Sequence, residues 1–125
     1  ARLVGSGSPQ SDTVVLDASG ELATALSIFL QGNAEIGAGI VFGDGVRCAG
    51  GSLKRIGVKT AVGGATSYPQ AGDASIAAKS AALGDVIAQG STRIYQTYYR
   101  DPNLAFCVAP PGNSWNVSNA VRIAW

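Results

Sequence analysis

Eight carboxylates, Asp12, Asp17, Glu21, Glu35, Asp44, Asp73, Asp85 and Asp101, are the first residues with which this 125-residue chain could do chemistry. Two of them facing each other across a cleft at about 5–9.5 Å would suit glycoside hydrolysis. Most instead adjoin glycine, serine or proline, as aspartate does in ordinary turns, and no spacing predicts a facing pair. Calcium is the second chemistry, with Asp44, Asp73 and Asp101 as ligands gathered at one end of a fold. Calcium takes about six to eight oxygens, often from one aspartate-rich loop, and the chain has no Asp-x-Asp spacing. Serines are plentiful, but there is no histidine to activate one and no Gly-x-Ser-x-Gly elbow. The missing histidine also removes the commonest metal ligand. Gly37-Ala38-Gly39 and Gly43-Asp44-Gly45 lack the lysine and spacing of a phosphate loop and read as turns or close backbone approaches. The expectation is a protein that is not an enzyme and holds no metal or cofactor.

Binding chemistry rests on the aromatics. If residues 92–100 form a strand, Tyr95, Thr97 and Tyr99 share one face and Ile94, Gln96 and Tyr98 the other. One face enters the core. The other can present a tyrosine beside Gln96 or Arg100, a surface on which sugar rings stack, although tyrosines with satisfied hydroxyls at a core and its rim fit the same pattern. Trp115 and Trp125 carry the same two readings; Trp125 shares an apolar face with Val121 and Ile123 and is expected to pack inward or against a neighbour. Tyr95, Tyr98, Tyr99, Trp115 and Trp125 are therefore the candidate ligand or interface residues. Asn116-Val117-Ser118 fits a glycosylation acceptor, a match without meaning if the chain is bacterial.

The elements that must position these residues are strands. Ile40-Val41-Phe42, Gly43-Asp44-Gly45 and Val46-Arg47-Cys48 read as a hairpin, since aspartate and glycine tolerate positive φ. Residues 12–16, 25–30, 52–56 and 121–125 are further strand-like runs, and residues 92–100 have the strongest strand propensity. Residues 74–83 are alanine-rich but lack a clean helical stripe, so helix and short strand both stay open. Seven to nine short strands with frequent turns predict a single all-β domain over residues 1–125, an antiparallel sandwich of jelly-roll or immunoglobulin-like form.

Cys48 and Cys107 each sit beside a β-rich segment. They fit one disulfide pinning a secreted sandwich, worth about 4 kcal/mol for a loop of this length, or two buried thiols. The chain begins at Ala1 and contains no methionine, as expected downstream of a removed secretory leader. No apolar run approaches the roughly 18 residues that span a bilayer, so no membrane insertion is expected. Charged residues are 14% of the chain and the net charge is +1, against about 25% charged in typical domains. Nucleic acid is thus an unexpected partner, while self-association meets little charge repulsion.

Several runs resemble a domain found at the C-terminal end of large secreted surface proteins of planctomycetes and myxobacteria. They are Phe29-Leu30-Gln31-Gly32, Val41 to Gly51 with its Phe-Gly-Asp-Gly-x-Arg-Cys core, Tyr95-Gln96-Thr97-Tyr98-Tyr99-Arg100-Asp101-Pro102, Phe106-Cys107, and the ending from Trp115 to Trp125. The resemblance implies an extracellular module with Cys48 joined to Cys107 and carries over no catalytic residue. The resulting expectation is a non-catalytic structural or adhesive module at the cell surface, self-assembling into a filament or appendage through edge strands such as Leu3-Val4 or Val121-Arg122-Ile123. The alternative is a carbohydrate-binding module that anchors a protein or cell to polysaccharide.

Overall fold

The computed structural model describes residues 1–105 and 112–125. These form β1 (Arg2–Ser6), β2 (Val15–Ser19), β3 (Leu26–Gly32), β4 (Ala34–Phe42), β5 (Gly45–Gly50), β6 (Lys54–Thr60), β7 (Ala65–Tyr68), α1 (Ile76–Ala82), β8 (Thr92–Arg100), β9 (Trp115–Val117) and β10 (Val121–Ala124). Ten strands thus replace the seven to nine expected, and every strand pairing is antiparallel.

Three sheets result. β1-β2-β7 make one, β10-β8-β3-β6 with β9 also on β8 make the second, and the β4-β5 hairpin is the third. Side-chain alternation decides what lies between them. Leu3, Leu16, Ala18 and Tyr68 of the first sheet and Phe29, Ile56 and Tyr95 of the second enter one buried cluster, joined by Ile76 and Trp125. The hairpin lies against the opposite face of the second sheet. Gln96 of β8 fixes it there, accepting from the backbone N–H of Cys48 (2.7 Å) and Ala49 (3.0 Å) and donating to Val46 O (3.1 Å).

The Gly43-Asp44 turn joins β4 and β5 in a two-residue loop, with Phe42 opposite Gly45. Gly43 has φ +64 and Asp44 does not share the sign, the pattern of a type II′ turn. Residues 74–83 resolve as helix. Ser75 caps it by accepting from Ala78 N, Ile76 and Ser80 face inward, and Gly84 at φ +82 ends it. Residues 12–16 are not one strand: Asp12 takes φ +50 in a turn closed by Thr13 N to Ser8 O, and pairing starts at Val15.

Cys48 is half-buried and has no disulfide partner among the described residues. Cys107, expected to join it, lies outside the described residues.

Candidate functional site

The carboxylates are dispersed, and most are engaged where they stand. Asp85 takes a two-point bond from Arg93, Asp73 pairs with Lys59 at 2.6 Å, and Asp12 accepts from Ser75 Oγ. Asp44 accepts from Asn113 N at 2.7 Å, and Ser27 Oγ donates to Glu21. Among the described residues no three of His, Cys, Asp and Glu gather as a metal site would need. Asn116 is buried and its Oδ1 accepts from Val117 N, so the glycosylation match is closed to a modifying enzyme.

The five candidate aromatics divide. Tyr95 is fully buried, and its hydroxyl accepts from Trp125 Nε1 at 3.1 Å inside the core. Burial holds the Tyr95 phenol well above the ordinary tyrosine range. Tyr99 is buried with Ala25 and Ala61. Tyr95 and Tyr99 have no face open to a ligand, and Trp125, itself buried, borders a surface pocket with Pro9, Gln10 and Ile87. Gln96, expected beside an exposed tyrosine, is likewise buried: besides its hairpin bonds, Nε2 donates to Ser118 O at 2.9 Å, so both donors and both lone pairs of the amide are used.

Tyr98 and Trp115 do come together, on the hairpin side of the second sheet. Phe42, which the sequence reading passed over, completes the group. Ring centroids lie 4.2 Å apart for Phe42–Trp115, 5.5 Å for Phe42–Tyr98 and 5.8 Å for Tyr98–Trp115, all edge to face. The Arg47 guanidinium stands 5.4 Å over the Phe42 ring. Gly43 is required here, because a Cβ at that position would collide with the Trp115 indole. The signal that could have found Phe42 is the turn itself: a two-residue loop places Phe42 and Arg47 on neighbouring strands of one hairpin.

The aromatic group continues onto an apolar surface of β3 and β6 that the hairpin leaves uncovered, while Val117 at the other end lies buried beneath Gly45. Val58, Ile28, Tyr98 and Val117 stand in one row across four strands, and in the next row Thr60 pairs with Leu26 and Arg100 with Trp115. Val58 is 55% exposed and Leu26 49%. Arg55, opposite Leu30, shares the face. Arg47, Arg55 and Arg100 therefore rim this surface, and none makes an ion pair among the described residues.

The strand edges form a second feature. β1 and β10 are the end strands of their sheets and flank a groove of about 280 Å³ lined by Gly5, Ser6, Val14, Val121, Ile123 and Ala124. Asn119 closes one end, accepting from Leu3 N and donating to Leu3 O at 2.8 and 3.0 Å. Trp125 N turns inward to Ser91 O, so by alternation the peptide groups of Arg122 and Ala124 point outward.

Searches against protein-family models, curated proteins and solved structures find no match to this chain. The resemblance to the surface-protein domain therefore rests on the sequence motifs alone.

Proposed function

We propose that this domain is a non-catalytic extracellular module, structural or adhesive, that assembles with copies of itself by strand addition. In this reading it is a β-sandwich of the planctomycete and myxobacterial surface-protein type, with Cys48 joined to Cys107 outside the cell. The observation that carries the proposal is the β10 edge, whose Arg122 and Ala124 peptide groups point outward along an apolar-floored groove. Across it β1 is also an end strand, with its Leu3 peptide groups already taken by Asn119. Outward N–H and C=O groups on such an edge are satisfied by another extended strand. The low charge of the chain, 14% of residues, lessens the repulsion between copies.

Negative-stain microscopy and light scattering across a concentration series test it. Regular fibres or closed assemblies are expected to grow with concentration. Ala124→Pro deletes an outward N–H that β8 does not use, which an edge strand tolerates. It is expected to raise the concentration needed for assembly roughly tenfold with the monomer fold intact. Isolated particles at every concentration would sink the proposal.

A second reading, attachment to polysaccharide, is favoured by one observation: the half-buried Phe42, Tyr98 and Trp115 rings open onto an exposed apolar sheet face.

A further inference from the structure

We infer that the uncovered face of the second sheet binds an acidic polysaccharide, its sugar rings on the apolar rows and its carboxylates on Arg47, Arg55 and Arg100. The inference rests on the polysaccharide reading of that face and adds the chemical class of the ligand.

Charge selects the class. The chain as a whole carries +1, which hides an uneven distribution. Both ion pairs found among the described residues, Lys59–Asp73 and Arg93–Asp85, consume cations away from this face. The three rim cations are all arginines, whose planar forks match carboxylate geometry. Among the described residues the exposed Arg55 side chain makes no hydrogen bond, Arg100 donates only to Ser114 Oγ at 2.8 Å, and Arg47 donates through Nη1 to Ala49 O at 3.0 Å. No carboxylate stands in these two rows. Asp44 and Asp101 lie in the flanking turns, where Asp44 Oδ1 accepts from Asn113 N, Asp44 Oδ2 is buried without a partner among the described residues, and Asp101 Oδ1 accepts from Asn103 N.

Spacing and surface choose among anionic polymers. Arg55 on β6 is in register with Gln96 of β8, so Arg100 stands two strands across and four residues further along, about 16 Å away. A nucleic acid strand carries a charge about every 3.4 Å, too dense for three scattered cations. Its bases would also need open ring planes, whereas these rings already pack edge to face at 65–86°. Leu26, Ile28 and Val58 offer an aliphatic floor suited to the C–H faces of sugars. A second copy laid face to face would bring the arginines against one another.

Affinity electrophoresis of the full chain through gels containing polygalacturonate, dextran or single-stranded DNA tests this. Retardation by polygalacturonate alone, weakening with salt, is the expected result. Arg55→Gln and Arg100→Gln change exposed side chains and are each expected to weaken it at least several-fold, and Leu26→Glu to abolish it. Equal retardation by dextran, unaffected by salt, would overturn the acidic class and leave the polysaccharide reading standing. No retardation by either polysaccharide would end both, and equal retardation by DNA would overturn the sugar class. Wild-type retardation by all three arginine and leucine variants would show that the face is not the site.

Discussion

At the scale of single residues, Glu21 is a carboxylate held at a cost. Ser27 Oγ donates to one carboxylate oxygen, and the other is buried without a partner among the described residues. Burial, which disfavours the charged form, raises its carboxyl above the ordinary value, with the Ser27 bond opposing. A folded-state value above the unfolded one means that Glu21 favours folding at pH below the unfolded carboxyl and loses that contribution as pH rises through the raised value. Glu21→Gln is therefore expected to raise the melting temperature at pH 7 by about 2–4 °C, the gain shrinking toward zero below about pH 4. Melting curves of the two proteins between pH 3 and 8 check the sign; a variant less stable at pH 7 would refute it. Nothing in the sequence marks Glu21 apart from the other carboxylates. Its backbone is fixed by Gly64, whose carbonyl accepts from Glu21 N across a separation of more than forty residues that no local pattern reports.

Elements show the same division between local and remote causes. α1 has only seven residues, too few to persist alone, so its position depends on what holds its end. Gln31 Nε2 donates to Ser80 Oγ (2.6 Å) and to Asp85 Oδ2 (2.9 Å), and Arg93 grips Asp85 at 2.9 and 2.7 Å. The Arg93 bonds hold the Asp85 carboxyl below its ordinary value against the opposing effect of burial. A depressed value gives stability that is present above the unfolded carboxyl and lost as pH falls through the folded one. Asp85→Asn leaves the Arg93 charge unpaired and is expected to cost roughly 3–5 kcal/mol at pH 7, with the deficit narrowing in acid, opposite to Glu21. Denaturant titrations at pH 7 and below pH 3.5 check it, and an equal deficit at both would refute it. The strand from Thr92 to Arg100, the hairpin at Gly43-Asp44 and the alternation of Val121, Ile123 and Trp125 were legible, because propensity, turn chemistry and period-two patterning act locally. The helix could not be told from a strand, because its inward residues Ile76 and Ser80 are one apolar and one polar. β7 and β9 were invisible, being four and three residues long and held by partners rather than by their own composition. The same limit applied to the site. Tyr98 and Trp115 were on the sequence-derived roster, but so were Tyr95, Tyr99 and Trp125, and only the third dimension sorts rings facing the core from rings facing the hairpin.

For the whole molecule, the layering implies unequal stability. Two sheets and α1 share one apolar core, whereas the hairpin is attached to the opposite face by polar contacts and the Phe42–Tyr98–Trp115 group. β4 is exposed along most of its length, with Val41 85% exposed. Its pairing with β5 breaks between Glu35 and Ile40. Few buried apolar contacts and an exposed backbone are the conditions for local opening below the free energy of global unfolding. Gln96 is the residue on which this attachment turns, because its one amide serves Cys48 N, Ala49 N, Val46 O and Ser118 O. Hydrogen exchange is expected to show the amides of β4 and β5 opening before those of β3 and β8. In Gln96→Ala the freed backbone groups lose their partners, and hairpin exchange is expected to speed roughly 100-fold relative to the core. Gln96→Glu distinguishes hydrogen bonding from packing at nearly constant volume. It keeps the two acceptor bonds but sets a carboxylate against the Val46 and Ser118 carbonyls, so its hairpin should be loose at pH 7 and tighten in acid as the carboxyl protonates and regains a donor. If exchange in β4 and β5 follows β3 and β8 residue for residue in all three proteins, the hairpin belongs to the core's cooperative unit. The arginine-rimmed face beside it would then be a rigid surface, not one bordered by a movable edge.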